Sequence, residues 1–183
     1  MSLIQIGRPR KVHTASGGQP VVLVTDGAVE STVTVGAVLF DAAAGRLEFA
    51  GGEVPQPVAE MWGRRVGVEQ VIGQAEIAPV ALSLLLWPEV LRGRRVLIFV
   101  DNLSALGALV RGTSPSLASA RLASMFWRLA AELEVEVWFD WVPGPANLAD
   151  APSRLEFGVL RELGGAQRVF GPEDWQALKE GGV

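Results

Sequence analysis

Short apolar β-branched runs alternate along the chain with longer segments whose apolar residues recur at helical spacing, which predicts a layered α/β domain. Positions 21–24 (Val-Val-Leu-Val) suit a strand buried on both faces, with Asp26 standing at its end. Positions 31–40 and 46–54 read as two further strands joined by a turn at 41–45, so the first three strands form an antiparallel meander. A long irregular connection follows over 55–73, with Pro55, Pro57, Trp62 and the Arg64-Arg65 pair and room for a helical turn. The next helix is expected over 74–91, with Pro79 near its beginning and Arg92-Gly93-Arg94 ending it.

The second fully apolar run covers 95–100, and Asp101-Asn102 follows at once. Helical spacing then extends over 103–111 and again from 116 to about 134, the latter with Leu117, Ala120, Leu122, Met125, Leu129 and Leu133 as its inner face. Positions 135–142 alternate as a fifth strand, which Pro143-Gly144-Pro145 breaks. Further helices are expected over 147–155 and 172–179. The order implies a five-stranded mixed sheet, a three-strand antiparallel meander plus two parallel strands, with helices on both faces. Strand one beside strand four would bring Asp26 and Asp101 out at one sheet edge, where open α/β sheets place ligands. Positions 1–20, rich in Gly, Pro, Ser and basic residues, read as a lead-in or linker, and 21–183 as a single domain.

Composition narrows the chemistry. Among 183 residues there is no cysteine and one histidine, His13, which excludes disulfides, thiolate sites and multi-histidine zinc sites. The most apolar window, 78–87, is about half the ~20 residues a membrane span needs, and positions 1–10 lack a signal-peptide core. An intracellular protein, cytoplasmic or nuclear, is expected. The net charge of −4 speaks against a generally basic nucleic-acid binder. Arginines nevertheless cluster at Arg8-Arg10-Lys11, Arg64-Arg65 and Arg92-Arg94-Arg95, which suits phosphate contact or simply reflects base composition. Trp127, Trp138 and Trp141 read as core or half-buried sheet residues.

Four acids stand out by position. Asp26 ends the first strand with no Lys or Arg following before Arg46; a lone charge there costs several kcal/mol unless a distant cation or a metal ion meets it. Glu76 falls in the first turn of the first long helix, Asp101 ends the fourth strand, and Asp150 opens a helix after the fifth. Singly, Glu76, Asp101 and Asp150 each have a plain reading as a helix cap or first-turn acid, whereas Asp26 is the hardest to read that way. Jointly they fall on one edge of the sheet. Four such carboxylates without His or Cys suit Mg²⁺ or Mn²⁺, and their mutual repulsion calls for cations, as in two-ion phosphoryl-transfer sites.

The stretches Thr25-Asp26-Gly27-Ala28, Gln74-Ala75-Glu76-Ile77-Ala78, Phe99-Val100-Asp101-Asn102 and Trp141-Val142-Pro143-Gly144-Pro145-Ala146-Asn147-Leu148-Ala149-Asp150-Ala151-Pro152-Ser153-Arg154 resemble the ribonuclease H domain of retroelement reverse transcriptases. The last run is the most specific, and the resemblance covers roughly 21–154. It implies a ribonuclease H-like fold and Mg²⁺-dependent cleavage of the RNA strand of RNA–DNA hybrids, with two ions per site and a polymerase domain as partner in the same or another polypeptide. It also implies that Asp26 bridges both ions, that Glu76 and Asp101 hold the ion at the leaving oxygen, and that Asp150 holds the ion activating water. Gly27, Ala28, Asn102, Ser104, Asn147 and Arg154 are the candidate substrate contacts; capping explains Asn102 and Ser104 equally well, and Arg154 suits either a phosphate or a nearby acid. The chain departs from cellular family members in lacking a histidine before Asp150 and a basic Trp-containing handle after the first long helix.

Two rivals follow. Glu136 lies 35 residues past Asp101 (136 − 101), a spacing found in integrase-type DNA strand-transfer cores, but it falls on the alternating strand where that family needs a helix. A catalytically silent binding domain on the same scaffold is the other, against which the presence of all four acids speaks.

Overall fold

The computed structural model describes residues 18–63 and 71–181. In chain order the elements are β1 (Val21–Val29), β2 (Val33–Asp41), β3 (Arg46–Glu53), α1 (Gln56–Met61), α2 (Ile72–Leu86), α3 (Pro88–Leu91), β4 (Arg95–Val100), α4 (Leu103–Arg111), α5 (Leu117–Glu132), β5 (Glu136–Trp141), α6 (Asp150–Ser153), α7 (Gly158–Glu162), β6 (Ala166–Arg168) and α8 (Pro172–Gly181), with a 3-10 turn at Gly144–Ala146. The strands make one mixed sheet in the order β5-β4-β1-β2-β3-β6. The antiparallel meander β1-β2-β3 and the parallel neighbours β1-β4-β5 are the expected ones. The sheet has six strands, not five: β6 adds parallel to β3, and its Ala-Gln-Arg sequence has no apolar alternation to announce it.

The helix α2 is buried nearly all round, including Gln74, Glu76 and Ser83, and packs against β1, β2, α4, α5 and α8. A helix apolar on every side belongs inside, and this one fixes how close Glu76 comes to β1. It begins at Ile72, so Pro79 lies in its interior, not near its start. Having no N–H, Pro79 leaves the Ala75 carbonyl without its helical donor. The Ser83 hydroxyl donates back to the Pro79 carbonyl at 2.7 Å. The expected single helix over 74–91 is divided at Trp87, whose fully buried indole donates to Glu48 Oε2 at 2.8 Å.

The larger core lies between the sheet and α2, α4 and α5; a smaller one under α6 and α7 contains Val24, Val38, Phe49, Ala149 and Leu160. Along α5, Leu122 and Met125 are buried as expected, but Leu117 is exposed and Phe126 takes a central place. Trp127 is half-buried against Phe126 and Phe139. Trp138 and Trp141, on the edge strand β5, are instead 71% and 45% exposed, while Val137 and Phe139 of the same strand pack against the core. Among the described residues, no helix is long and apolar enough to cross a membrane.

Candidate active site

Strand β1 supplies the first acid. Its run continues past the apolar start through Val29, so Asp26 sits inside the strand and not at its end. What ends there is the pairing with β4, whose last partners are Thr25 and Val100, while pairing with β2 continues through Asp26 and Gly36 to Val29 and Val33. Asp26 therefore stands at the notch where β4 turns away into Asp101 and α4. Glu76 is the fifth residue of α2, two residues deeper than expected and in its second turn, and reaches the same notch. One carboxylate oxygen each from Asp26, Glu76 and Asp101 lies within 4.8 Å of the others.

Two glycines allow that approach. A Cβ on Gly27 would stand 2.3 Å from the Ala75 carbonyl oxygen, and one on Gly36 would stand 2.3 Å from the Ser153 amide nitrogen. Without side chains there, β1 touches the backbone of α2, and β2 touches that of α6, on either side of Asp26.

Asp26 and Glu76 are both 5% exposed. Burial, followed by the charges of Asp101 and Asp150, pushes the Asp26 carboxyl up to about 6 despite the hydrogen bond from Ser153. Burial and then the charges of Asp26 and Asp101 push Glu76 up to about 9, with the Gly27 amide working against the shift. The Ser153 hydroxyl, fully buried, lies against both Asp26 Oδ2 and, at 2.8 Å, the Asp150 carbonyl. Glu76 Oε2 and Asp101 Oδ1 are buried with no hydrogen-bond partner. Buried carboxylate oxygens are rarely left so. Three converging oxygen donors, two with orphaned atoms and none with a cationic partner among the described residues, fit a hard divalent cation such as Mg²⁺ or Mn²⁺.

Asp150 opens α6 as expected but does not belong to this three-acid group. Its side chain is 51% exposed and its Oδ1 accepts from Arg154 Nε at 3.2 Å; Arg154 Nη1 reaches Glu30 Oε1 at 2.7 Å. Asn102 caps α4, its Oδ1 accepting from the amides of Ser104 and Ala105 at 3.0 Å each. The Ser104 side chain is exposed beside it. Asn147 is buried, donating to the Thr25 carbonyl at 3.3 Å and accepting from the Ala149 amide at 2.9 Å, and so ties the loop before Asp150 to β1. Gly27 and Ala28 are interior strand residues. Sequence reasoning missed Ser153 as the partner of Asp26 and Trp141, whose indole donates to the Asp101 carbonyl at 2.9 Å. Their proximity to acids along the last motif was the available signal. Gly144 from that motif also lies against the site, a Cβ there falling 3.5 Å from Asp101 Oδ2.

Of the arginine clusters, Arg92 donates to the Glu132 carbonyl, Arg94 pairs with Asp41 and Arg95 donates to the Gly18 carbonyl. Arg8, Arg10, Lys11, His13, Arg64 and Arg65 lie outside the described residues. Glu136 pairs in register with Arg95, five residues down the parallel strands from Val100, or ~17 Å from the notch. It does not join the acids, which counts against a strand-transfer core.

No protein-family model matches the chain, and no curated protein sequence does. Among solved structures, RNase H1 from the halophilic archaeon Halobacterium salinarum is 17% identical with a TM-score of 0.55, covering 76% of this chain and 98% of that one. The fold is ribonuclease H-like. The N-terminal RNase H domain of a Mycobacterium tuberculosis protein (17% identity, TM-score 0.47) covers 79% of this chain and 97% of that one. LC11-RNase H1, solved with an RNA/DNA hybrid (15% identity, TM-score 0.47), covers 76% and 97%. Within this ribonuclease H-like fold, Asp26, Glu76 and Asp101 occupy the central notch of the sheet.

Proposed function

We propose that the chain is a divalent-metal-dependent endonuclease that hydrolyses the RNA strand of RNA–DNA hybrids. The observation that carries this reading is the notch itself: two buried acids and a half-buried third, two of the three with unsatisfied oxygens, on a ribonuclease H-like sheet. Asp26, Glu76 and Asp101 would hold a first Mg²⁺ or Mn²⁺ ion, and Asp150 with Asp26 a second. Bound there, such ions supply Lewis acidity and counter-charge for attack of water on a phosphodiester.

The chain's own groups do the positioning. Gly27 and Gly36 let two helix backbones close on Asp26, the Ser153 hydroxyl orients its Oδ2, and Asn147 anchors the loop that delivers Asp150. Burial and the neighbouring acids keep a proton on Glu76 at neutral pH, and on Asp26 only below about pH 6, unless a cation replaces it. The run 141–154 supports the further reading that the domain serves a retroelement-type reverse transcriptase, with a polymerase domain in the same or a partner polypeptide. Gly27, Ala28, Asn102, Ser104, Asn147 and Arg154 line the proposed path of the substrate or support it.

The test is cleavage of a labelled RNA–DNA hybrid in Mg²⁺ or Mn²⁺. The expected result is cutting of the RNA strand only, abolished by Asp101→Asn, with duplex DNA intact. Nicking or joining of DNA ends with the hybrid untouched would establish strand transfer instead, and hybrid binding without cutting would establish a silent binding domain.

A further inference from the structure

The four acids divide into three and one, and a single side chain pairs with the one left out. Arg154 follows the one-turn helix α6 and bridges two acids from distant parts of the chain, Asp150 at 3.2 Å and Glu30, in the turn between β1 and β2, at 2.7 Å. It is the one cation paired with any of the four acids among the described residues. It is also 46% exposed, so a polyanion can reach it without opening the fold. Meanwhile Asp150 stays out of the group formed by Asp26, Glu76 and Asp101.

We propose that Arg154 is a positioning residue: it holds Asp150 away from the three-acid group until a phosphodiester claims its guanidinium, so that the second divalent-ion site assembles only on substrate. A guanidinium fork accepts a phosphate as readily as a carboxylate, so the exchange leaves the arginine fully bonded. The released Asp150 carboxylate is then free to turn toward an ion held at Asp26. Glu30 keeps the arginine on station throughout, since it bonds a different nitrogen of the same group. Without substrate the protein thus carries one ion at the buried acids and a self-neutralised Asp150. The inference rests on the nuclease reading, because it assigns Asp150 to a second ion.

The experiment is calorimetric titration with Mn²⁺ in the absence of nucleic acid, on the full chain. Wild type is expected to bind one ion well and a second weakly. Arg154→Gln should bind the second about fivefold more tightly, the scale of one exposed ion pair. Arg154→Lys, which keeps the charge but loses the planar fork, should fall between them. Arg161→Gln, on α7 away from the acids, should match wild type. At saturating hybrid the half-saturating Mn²⁺ for cleavage should be equal in wild type and Arg154→Gln, because substrate has already released the arginine, while KM for the hybrid rises in the variant. Second-ion binding that is unchanged or weaker in Arg154→Gln and Arg154→Lys overturns the proposal. Failure of any ion to bind overturns both this proposal and the nuclease reading. The arginine-dependent titration without hybrid cleavage overturns the nuclease reading alone.

Discussion

Two groups of buried carboxylates sit at opposite ends of this sheet, and their surroundings differ in one respect. At one end, Asp41 closes β2 and Glu48 lies in β3, 3% and 8% exposed. Every oxygen there has a donor. Arg94 forks onto Asp41 with two contacts of 3.2 Å and the Ala43 amide adds a third, while Glu48 takes Trp87, Arg46 and Arg168. At the other end, some five residues along β2 at Gly36, Asp26 and Glu76 are as deeply buried, yet Glu76 and its neighbour Asp101 each keep an oxygen with no donor. Burial alone opposes ionisation in both places, but Arg94 and nearby amides outweigh it and hold the Asp41 carboxyl below its ordinary value, whereas Asp26 and Glu76 are raised. A protein that can satisfy a buried carboxylate with arginine and tryptophan, and does so at one end, leaves oxygens without donors at the other, which is what the proposed divalent-cation site requires.

The largest effect expected from this contrast is on activity. Replacing Asp101 by Asn keeps its size and removes the charge, and hybrid cleavage should fall on the order of 10^3-fold or more, with melting temperature unchanged or raised. Loss of cleavage accompanied by unfolding would mean that Asp101 belongs with the paired acids after all.

Next comes the coupling of ion, proton and stability. A carboxyl whose folded value is raised contributes stability that is fully present below its ordinary value and lost as pH rises through the folded one. For Asp26 that window runs from 3.8 to about 6, and for Glu76 from 4.5 to about 9. Ion-free protein should therefore lose melting temperature from about pH 4 up to about 9, Glu76 alone contributing above 6, and Glu76→Gln should flatten the loss there. Mg²⁺ at about 100 times its dissociation constant should restore ~2.7 kcal/mol. Because it replaces protons, the restoration should grow with pH across the same range. A melting temperature that ignores Mg²⁺ at pH 8 would break the comparison.

The approach of α2 can be tested sterically. Gly27→Val would force atoms against the Ala75 carbonyl, where even a Cβ stands at 2.3 Å, and should cost about 2–3 kcal/mol in denaturant unfolding. Glu76 should retreat from Asp26 with it, so ion affinity falls in whatever fraction stays folded.

Most of this arrangement could be read from the chain. The apolar runs of β1 and β4 announce buried central strands, and their pairing follows from the order of elements, so the meeting of Asp26 and Asp101 was predictable. Asp150 opens its helix as the pattern 147–155 suggests, and Arg154 four residues on could be read as a phosphate contact or the partner of a nearby acid; the spacing does not say which, and the structure pairs it with Asp150 and Glu30. Pro79 misled because proline is usual at helix starts, and nothing local shows that α2 begins at Ile72 with its free carbonyl facing Gly27. β6 is set by β3 and not by its own three residues. Trp138 alternates as a half-buried strand residue should, but β5 is an edge, and alternation cannot tell an edge from a centre. Glu48 and Asp41 drew no notice, since a satisfied buried acid depends on donors brought from elsewhere: Arg94 comes from 53 residues away and Trp87 from 39.

The smallest effect concerns the paired end. Removing its cation by Arg94→Ala should leave Asp41 with backbone donors only, and since Arg94 is 35% exposed, water can enter to replace part of the fork. The expected loss is about 1–2 kcal/mol. Its sign with pH is opposite to that of the notch: Asp41 contributes stability that is present above its ordinary value of 3.8 and lost as pH falls through its lower folded value. The wild type should thus lose this contribution only in acid, and Arg94→Ala should have lost it already at pH 7, so the two unfolding curves converge below pH 3.8. Mg²⁺ should leave the difference at pH 7 untouched. Rescue of Arg94→Ala by Mg²⁺ beyond that of wild type would show that Asp41, once deprived of its arginine, has become a second cation site, and would make the choice of counter-ion at each end a matter of a single side chain.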